Sequence, residues 1–254
     1  MKIAINKAHF PVTVLGPGRR IGLWLQGCRI HCKGCVSQDT WATDPGRETT
    51  VARLLTWCRE TVAAHGGGLD GVTISGGEPF DQPQALAALL DALAHWRTIE
   101  ARDFDILCYS GYPLATLQKK HAALLARLDA LIPEPFVEAQ PLEKLWRGSA
   151  NQPLVLLSDR GRERFAAFVD APADAFGKRI QVGIGAGSAN AASRGDAGAS
   201  SRGPDRSNAP GQSNAGHTSE RIWFVGIPAR GDLAALETLC AERGVQLTQV
   251  SWRQ

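Results

Sequence analysis

The chain has 254 residues, of which 44% are hydrophobic and 21% are charged, and its formal net charge is +3. This apolar fraction is ordinary for a globular protein and excludes a chain that is disordered throughout. The small excess of basic residues predicts no nucleic-acid partner. Because no apolar run approaches the ~18 residues that span a bilayer, we expect a protein of the cytoplasm with no membrane segment.

The first half of the chain alternates between short apolar strands and amphipathic helices. Three strands are predicted before a cysteine-rich loop, at Lys2–Asn6, Pro11–Leu15 and Ile21–Gln26. The elements predicted after this loop are a helix capped by Thr49, a strand at Gly71–Ser75, a helix at about 82–97, a strand at Phe104–Tyr109, a helix at Leu114–Leu128 and a strand beginning at Leu131. This order predicts an α/β fold whose active site lies at the carboxyl ends of parallel strands.

The pattern changes after residue 152, which divides the chain into a predicted core (1–152) and a small α/β appendage (153–254). The strands predicted in the appendage are Leu154–Leu157, Arg179–Val182, Arg221–Ile227 and Val245–Trp252, and its helix is Asp232–Arg243. Residues 185–219 contain no Val, Ile, Leu, Met, Phe, Trp, Tyr or Cys. Such a segment buries too little apolar surface to offset the entropy lost on ordering, so we predict a disordered insert.

Three cysteines, Cys28, Cys32 and Cys35, lie close together directly after the strand Ile21–Gln26. Thiolates at this spacing hold one corner of a 4Fe-4S cluster and leave one iron without a protein ligand. A zinc site with His31 as the fourth ligand is the alternative, although closed zinc sites usually take two ligand pairs separated by a longer spacer. The isolated cysteines, which are predicted to be buried, are Cys58, Cys108 and Cys240.

A second motif, Gly76-Gly77-Glu78-Pro79, follows the strand Gly71–Ser75. Two glycines allow a ligand to approach the backbone closely, and the Glu78 carboxylate suits an ammonium group. The motif also fits a tight turn in which Glu78 only favours the start of the next helix. Since both motifs follow strands of one sheet, we expect an open iron beside a site for an amino group. This pair suits a ligand that chelates iron through its amino and carboxylate groups.

S-adenosylmethionine is such a ligand, and the sequence resembles the radical S-adenosylmethionine superfamily. More narrowly, it is similar to the activases of anaerobic ribonucleotide reductase and to pyruvate formate-lyase-activating enzymes. The resemblance covers about Leu23 to Gln152 and rests on Leu25–Cys35, Asp39–Trp41, Ser75–Pro79, Ser110–Tyr112 and Trp146–Gln152. It implies a partial (β/α) barrel of the radical S-adenosylmethionine type, followed by the small C-terminal α/β appendage.

The resemblance also implies the cofactors and the residues that bind them. It assigns the 4Fe-4S cluster to Cys28, Cys32 and Cys35. It assigns S-adenosyl-L-methionine to residues after two neighbouring strands, namely Gly76, Gly77, Glu78, Ser110 and Tyr112. In this family one electron breaks the S–C5′ bond, and the resulting 5′-deoxyadenosyl radical removes a hydrogen atom from the substrate. In the activases the hydrogen comes from a glycine Cα, which implies a glycyl radical enzyme as protein partner.

Two features depart from the family pattern. Pro133-Glu134-Pro135 stands where activases usually carry an Asp-Gly pair, and the chain continues for about 100 residues beyond Arg147-Gly148-Ser149. The alternatives left open are a radical enzyme that modifies a peptide or a small molecule, and a non-catalytic iron-sulfur or zinc module. The basic residues around the cysteine loop predict either an acidic electron donor such as a flavodoxin or simply a solvated basic turn. These basic residues are Arg19, Arg20, Arg29 and Lys33.

Overall fold

The computed structural model describes residues 1–184, 222–247 and 250–252. Its strands are β1 (Lys2–Val12), β2 (Arg20–Leu25), β3 (Glu48–Thr50), β4 (Gly71–Gly76), β5 (Asp105–Tyr109), β6 (Ala130–Ile132), β7 (Val155–Leu156), β8 (Ile180–Ile184) and β9 (Ile222–Gly226). Its α-helices are α1 (Val51–Ala64), α2 (Pro83–Ile99), α3 (Leu114–Leu125), α4 (Asp159–Phe165) and α5 (Asp232–Glu242). The predicted insert at 185–219 lies outside the described residues.

Seven strands form one sheet in the order β3-β1-β2-β4-β5-β6-β7. The four central strands β2, β4, β5 and β6 are parallel, and the strands at both edges pair antiparallel. Leu25 pairs with Gly76 where β2 and β4 end, so the cysteine loop and the glycine motif leave the sheet at the same edge. The predicted α/β class with parallel central strands is confirmed, whereas closure into a partial barrel stays a prediction.

Helices α1, α2 and α3 cover one face of the sheet, and alternate strand residues divide between the two faces. Ile106 and Cys108 of β5 are buried in the cluster that includes these helices, while Leu107 belongs to a second cluster with Trp146 and Phe165. Successive side chains of a strand point to opposite faces, which produces this division. Among the described residues, no helix is both long and apolar enough to cross a membrane.

Two local predictions near the N-terminus need correction. The strand predicted at Lys2–Asn6 continues to Val12 as β1, which pairs with β2 across two register shifts, whereas the strand predicted at Pro11–Leu15 is wrong beyond Val12. Helix α1 is capped by Thr50, whose hydroxyl accepts a hydrogen bond from the Arg53 amide at 3.2 Å, rather than by Thr49. Thr49 lies in β3, which pairs with the start of β1. Both differences arise from strand pairing over long sequence distances.

Within the predicted appendage, β7 and α4 adjoin the main sheet, and the part that contains β8, β9, α5 and the described residues after α5 is called the C-terminal appendage. Strands β8 and β9 pair with each other in a separate antiparallel sheet. The predicted strand at Val245–Trp252 is absent from its described residues, which form turns and irregular backbone. The division at residue 152 stays a prediction, and the strand that follows it, β7, pairs with β6 in the main sheet.

Candidate active site

The cysteine loop and the glycine motif line one cavity of about 200 Å³ at the carboxyl edge of the parallel strands. The predicted residues that share this cavity are Cys28, Cys32, Cys35, Gly76, Gly77, Glu78 and Ser110. Tyr112 is not among the lining residues, and its hydroxyl instead donates a hydrogen bond to Asp81 Oδ1 at 2.7 Å. The structure therefore brings together all the predicted site residues except Tyr112.

The two glycines of the motif allow the end of β4 to pack against the backbone of the cysteine loop. Gly76 has φ +99°, and a Cβ there would lie 2.5 Å from the Leu25 nitrogen. A Cβ at Gly77 would overlap the carbonyl oxygen of Gly27. The amides of Gly77 and Glu78 donate to the carbonyls of Leu25 and Gly27, both at 2.8 Å. The absence of side chains at Gly76 and Gly77 therefore allows the backbone of the cysteine loop to be fixed against the sheet.

Glu78 links the ends of β4 and β5. Its side chain is 1% exposed, and Oε1 accepts hydrogen bonds from the Phe80 amide and the Ser110 hydroxyl, both at 2.9 Å. The other oxygen, Oε2, accepts from the Gly111 amide at 2.8 Å. Burial raises the pKa of Glu78 to about 7, against the lowering effect of these three donors. An ammonium group placed in the cavity would favour the charged carboxylate and lower this pKa again.

The three loop cysteines are free and half-buried. Burial raises the pKa of the Cys28 and Cys32 thiols above the usual value, so these thiols are protonated until a metal displaces the proton. No three His, Cys, Asp or Glu side chains of the described residues converge on the position of a single metal ion. A four-iron cube is larger than one ion, and three thiols around one cavity are the donors for three of its irons. The residues present therefore fit a 4Fe-4S cluster.

His31, the fourth ligand of the zinc alternative, packs against an aromatic side chain of the same loop. Its backbone has φ +52°, and its ring stacks on Trp41 with centroids 4.6 Å apart and planes 16° from parallel. The Trp41 carbonyl accepts a hydrogen bond from the Cys28 amide at 3.0 Å. His31 and Trp41 thus brace the turn that carries the first cysteine.

Asp81 is a positioning residue that the sequence did not single out. Its carboxylate accepts hydrogen bonds from the Arg29 backbone amide at 3.0 Å and from Arg29 Nη2 at 2.9 Å, in addition to the Tyr112 hydroxyl. Burial alone would raise the pKa of Asp81, but these donors outweigh burial and hold it below its usual value. The available signal was an acidic residue just after the glycine motif and an arginine directly after Cys28. Through these bonds Asp81 ties the cysteine loop to the ends of β4 and β5.

The four basic residues expected around the loop do not form one patch. Arg20 is buried at the start of β2, at the edge opposite the cysteines, where it forms an ion pair with Asp105. Arg19 adjoins it there, and its backbone amide donates to Asp70 Oδ2. Beside the loop itself, Arg29 pairs with Asp81, and Lys33 lies 3.5 Å from Glu138. An acidic electron donor stays a prediction, and only Arg29 and Lys33 are placed to meet it.

The Pro133-Glu134-Pro135 segment is held by the last motif of the resemblance. Asn151 Nδ2 donates to the Pro135 carbonyl and Gln152 Nε2 to the Glu134 carbonyl, both at 2.9 Å. Glu134 has φ +81°, and its side chain accepts a hydrogen bond from the Leu114 amide at 2.9 Å. Since Glu134 and Gln152 both line the cavity, this segment forms part of the site despite its unusual sequence.

Sequence reasoning also missed the contribution of the C-terminal appendage. The cavity that holds the cysteines is also lined by Gly226, the last residue of β9, and by Ile227 and Pro228, which follow it. No motif in the appendage indicated this, because the contact depends on how β9 packs against the N-terminal strands. The site is therefore built from the core and from a segment near the other end of the chain.

Comparisons with known proteins agree with this site. Residues 14–155 match the family described as a 4Fe-4S single cluster domain. Among curated relatives, the anaerobic ribonucleoside-triphosphate reductase-activating protein of Vibrio cholerae is 36% identical over 149 residues, covering 57% of this chain and 92% of the relative. The proteins of the same name from Haemophilus influenzae and Escherichia coli K12 are 33% and 29% identical over 149 residues. These matches cover 57% of this chain and 92% and 93% of those relatives.

Among solved structures, QueE from Escherichia coli overlaps 44% of this chain and 53% of its own chain. The TM-score of this overlap is 0.32 and the sequence identity is 20%, a similarity too low to support a conclusion about fold or function.

Proposed function

The chain belongs to the family of 4Fe-4S single cluster domains and of the anaerobic ribonucleoside-triphosphate reductase-activating proteins, and we propose that it is a radical S-adenosylmethionine enzyme of the activase type. The chemistry that a bound 4Fe-4S cluster supplies is one-electron reduction of S-adenosylmethionine, which breaks the S–C5′ bond and yields methionine and a 5′-deoxyadenosyl radical. The observation that carries the proposal is the shared cavity of the three free thiols and Glu78.

In this proposal Cys28, Cys32 and Cys35 hold three irons, and the fourth iron has no protein ligand. The segment Gly76–Glu78 receives the amino group of S-adenosylmethionine, with the Glu78 carboxylate as its charged partner. Ser110 donates to Glu78 and keeps that carboxylate at the cavity. Tyr112 is a positioning residue in this proposal, because its hydroxyl contacts Asp81 and does not line the cavity.

The apolar side chains that line the cavity limit the access of water to the radical. Trp24, Ile30, Trp41 and Phe136 form apolar stretches of the cavity. A reactive carbon radical is quenched by competing hydrogen donors, so a closed apolar site protects it until it meets one C–H bond. Placing that bond correctly is the main contribution of the protein, because the cofactors supply the difficult chemistry.

The proposed protein partner is a glycyl radical enzyme of the anaerobic ribonucleotide reductase class. The relatives are named for activating such a reductase, and the chain covers nearly their full length, which supports the same partner class here. An acidic one-electron donor such as a flavodoxin is proposed to meet Arg29 and Lys33, whose side chains are 78% and 92% exposed. We also propose that the parallel strands form a partial (β/α) barrel and that the protein works in the cytoplasm.

The test is an anaerobic assay of cofactor cleavage. After reconstitution with iron and sulfide, we expect about four irons per chain and, with dithionite and S-adenosylmethionine, formation of 5′-deoxyadenosine. Cys32→Ala should lose both signals, because it removes one of three ligands. Cys58→Ala is the matched control, since Cys58 is buried in α1 away from the cavity. A reconstituted wild-type chain that forms no 5′-deoxyadenosine would overturn the proposal.

A second candidate is a radical enzyme that acts on a peptide or a small molecule. The observation that favours it is the stretch Gly226–Pro228, which lines the cavity but lies outside the matched residues 14–155. The two candidates differ in the source of the hydrogen atom. Deuterium should pass into 5′-deoxyadenosine from a reductase labelled at glycine Cα if the first is right. Its absence, with cleavage intact, would favour the second.

A further inference from the structure

The C-terminal appendage supplies one wall of the cavity that contains the three cysteines. This wall, Gly226-Ile227-Pro228, has no counterpart in the family match, which ends at residue 155. We propose that the wall is a specificity-determining part of the active site, which limits the width of the group that enters the cavity. The identity of that group rests on the function proposed above: a slender, glycine-bearing segment of the partner chain.

The wall is rigidly connected to the rest of the appendage. Gly226 has φ +140°, and a Cβ there would overlap the Arg179 carbonyl oxygen, so β9 ends in close contact with the residue before β8. The same carbonyl accepts a hydrogen bond from the Ile227 amide at 3.1 Å. Arg179 in turn forms an ion pair with Asp232 at the start of α5, at 3.1 Å. The turn after β9 is therefore fixed by β8 and α5 together.

The appendage is also anchored to the core close to the cavity. Val225 is buried in a cluster with Val12, Val14, Leu15 and Trp24. Of these residues, Leu15 and Trp24 line the cavity themselves. The cluster places the residues that follow Val225 against the same apolar surface that encloses the cysteines. The position of the wall thus follows from packing of β9 on the N-terminal strands.

A second contact joins the appendage to the segment that follows the third cysteine. The Ser251 carbonyl accepts hydrogen bonds from the amides of Gln38, at 2.8 Å, and Asp39, at 3.3 Å. The Ser251 hydroxyl donates to the Val36 carbonyl at 3.1 Å. Val36 lines the cavity directly after Cys35, so the appendage holds the cysteine loop from one side while Ile227 faces the cavity from another.

These contacts favour a narrow occupant. Ile227 is half-buried and, with Ile30 and Phe136, presents apolar side chains to the cavity. A bulky side chain would have to displace these groups, whereas glycine has no side chain to accommodate. A partner that delivers its hydrogen from an extended glycine segment meets this requirement.

Size-graded alkylation of the iron-free chain tests the wall directly. The probes are iodoacetamide and a maleimide attached to a polyethylene glycol polymer, with each modified cysteine located by peptide mass spectrometry. Ile227→Ala should raise the polymer-to-iodoacetamide rate ratio at Cys28, Cys32 and Cys35 severalfold, and Ile227→Trp should lower it. Leu239→Ala is the matched control, because Leu239 is 50% exposed on α5.

Two buried thiols make each result decisive. Cys58 and Cys108 are fully buried, so a variant in which either thiol is modified is unfolded. If one of the two Ile227 variants is unfolded, the rate ratio of the other variant provides the test. A ratio equal to that of the wild type in folded Ile227 variants would overturn the inference. Because this assay uses no iron and no S-adenosylmethionine, its outcome is independent of whether the chain cleaves the cofactor.

Discussion

The core sheet and the C-terminal appendage differ in how they are stabilised. All six residues of β2 are buried, as are the first four of β4 and of β5. By contrast, α5 has no buried residue, and β8 and β9 pair with each other alone among the described strands. A two-stranded sheet is marginal by itself in water, so the appendage depends on its contact with the core.

This difference matters because the candidate site lies where the two regions meet. The core provides the cysteines, the glycine motif and Glu78, and backbone hydrogen bonds from Gly77 and Glu78 to Leu25 and Gly27 join the two motifs. The appendage provides Gly226–Pro228, whose position depends on packing against β1 and β2. The core is therefore expected to govern cluster binding, and the appendage to govern access. Three predictions test this division, from the largest expected effect to the smallest.

The largest effect is expected from Asp105→Ala in the core. Asp105 and Arg20 are both fully buried, and burial raises the pKa of Asp105 even with the guanidinium beside it. The intact pair is therefore a modest source of stability. Removing the carboxylate leaves a buried charge without its partner, which we expect to lower the free energy of unfolding by about 4 kcal/mol. Urea unfolding followed by circular dichroism measures the change.

Asp103→Ala is the matched control for this substitution. Asp103 also pairs with arginines, Arg160 and Arg164, but its side chain is 71% exposed. Because solvent screens such pairs, its loss should cost less than about 1 kcal/mol. Equal costs for the two substitutions would mean that the core does not depend on its buried ion pair.

The second prediction concerns the contact between the glycine motif and the cysteine loop. Gly77→Ala places a Cβ against the Gly27 carbonyl, and backbone cannot yield as a flexible side chain does. We expect a loss of about 3 kcal/mol of stability and a lower iron content after reconstitution, because the loop must move from β4.

Gly68→Ala controls for the loss of a glycine. Gly68 is exposed, and the nearest atom to an added Cβ is the end of the Arg19 side chain at 2.9 Å. This variant should reconstitute like the wild type. If Gly77→Ala also retains its full iron content, the close packing of the two motifs is not what positions the cysteines.

Local patterns in the sequence predicted the elements that surround the site. The strand predicted at Gly71–Ser75 is β4, and the helix predicted at about 82–97 is α2. The cysteine and glycine motifs lie side by side because each follows the carboxyl end of one of two neighbouring parallel strands, β2 and β4. The resemblance to activases is confirmed by the curated relatives of that name, together with the match of residues 14–155 to a 4Fe-4S single cluster domain. These features follow from hydrophobic period and short motifs, which are properties of neighbouring residues.

Contacts between distant residues could not be predicted in this way. Glu78 accepts a hydrogen bond from Ser110, and Gln181 Nε2 donates to the Pro11 carbonyl at 2.8 Å, far away along the chain. Neither partner carries a sequence signal for the other, because each bond depends on tertiary placement. For the same reason Ile227 reads in the sequence as an ordinary strand residue, and only the fold reveals its position in the cavity.

The third prediction concerns the contact between the two regions at His9. This side chain lies between Trp24 of the core and Trp223 of the appendage, stacked on Trp223 with ring centroids 4.6 Å apart. Burial lowers the pKa of His9 from 6.5 to about 4, and the nearby Lys7 adds to the shift. Between these two values the unfolded chain binds a proton that the folded chain does not. His9 therefore contributes stability that is lost as the pH falls through this window.

Glu78 has the opposite dependence. Its pKa is raised from 4.5 to about 7, so its folded form binds a proton first and gains stability as the pH falls. Between about pH 7.5 and pH 5, His9 is expected to lower the free energy of unfolding by about 2 kcal/mol, and Glu78 to raise it by a similar amount. His9→Phe keeps the aromatic stack but removes the titration, so this variant should become more stable at the lower pH.

Urea unfolding at both pH values, followed by tryptophan fluorescence, measures the effect, with His95→Phe on the exposed side of α2 as the control. The comparison between variants isolates His9, because the contribution of Glu78 is common to all of them. If His9→Phe shows the same pH dependence as the wild type, His9 is not shielded from solvent, and the appendage does not cover β1 as the stacking with Trp223 requires.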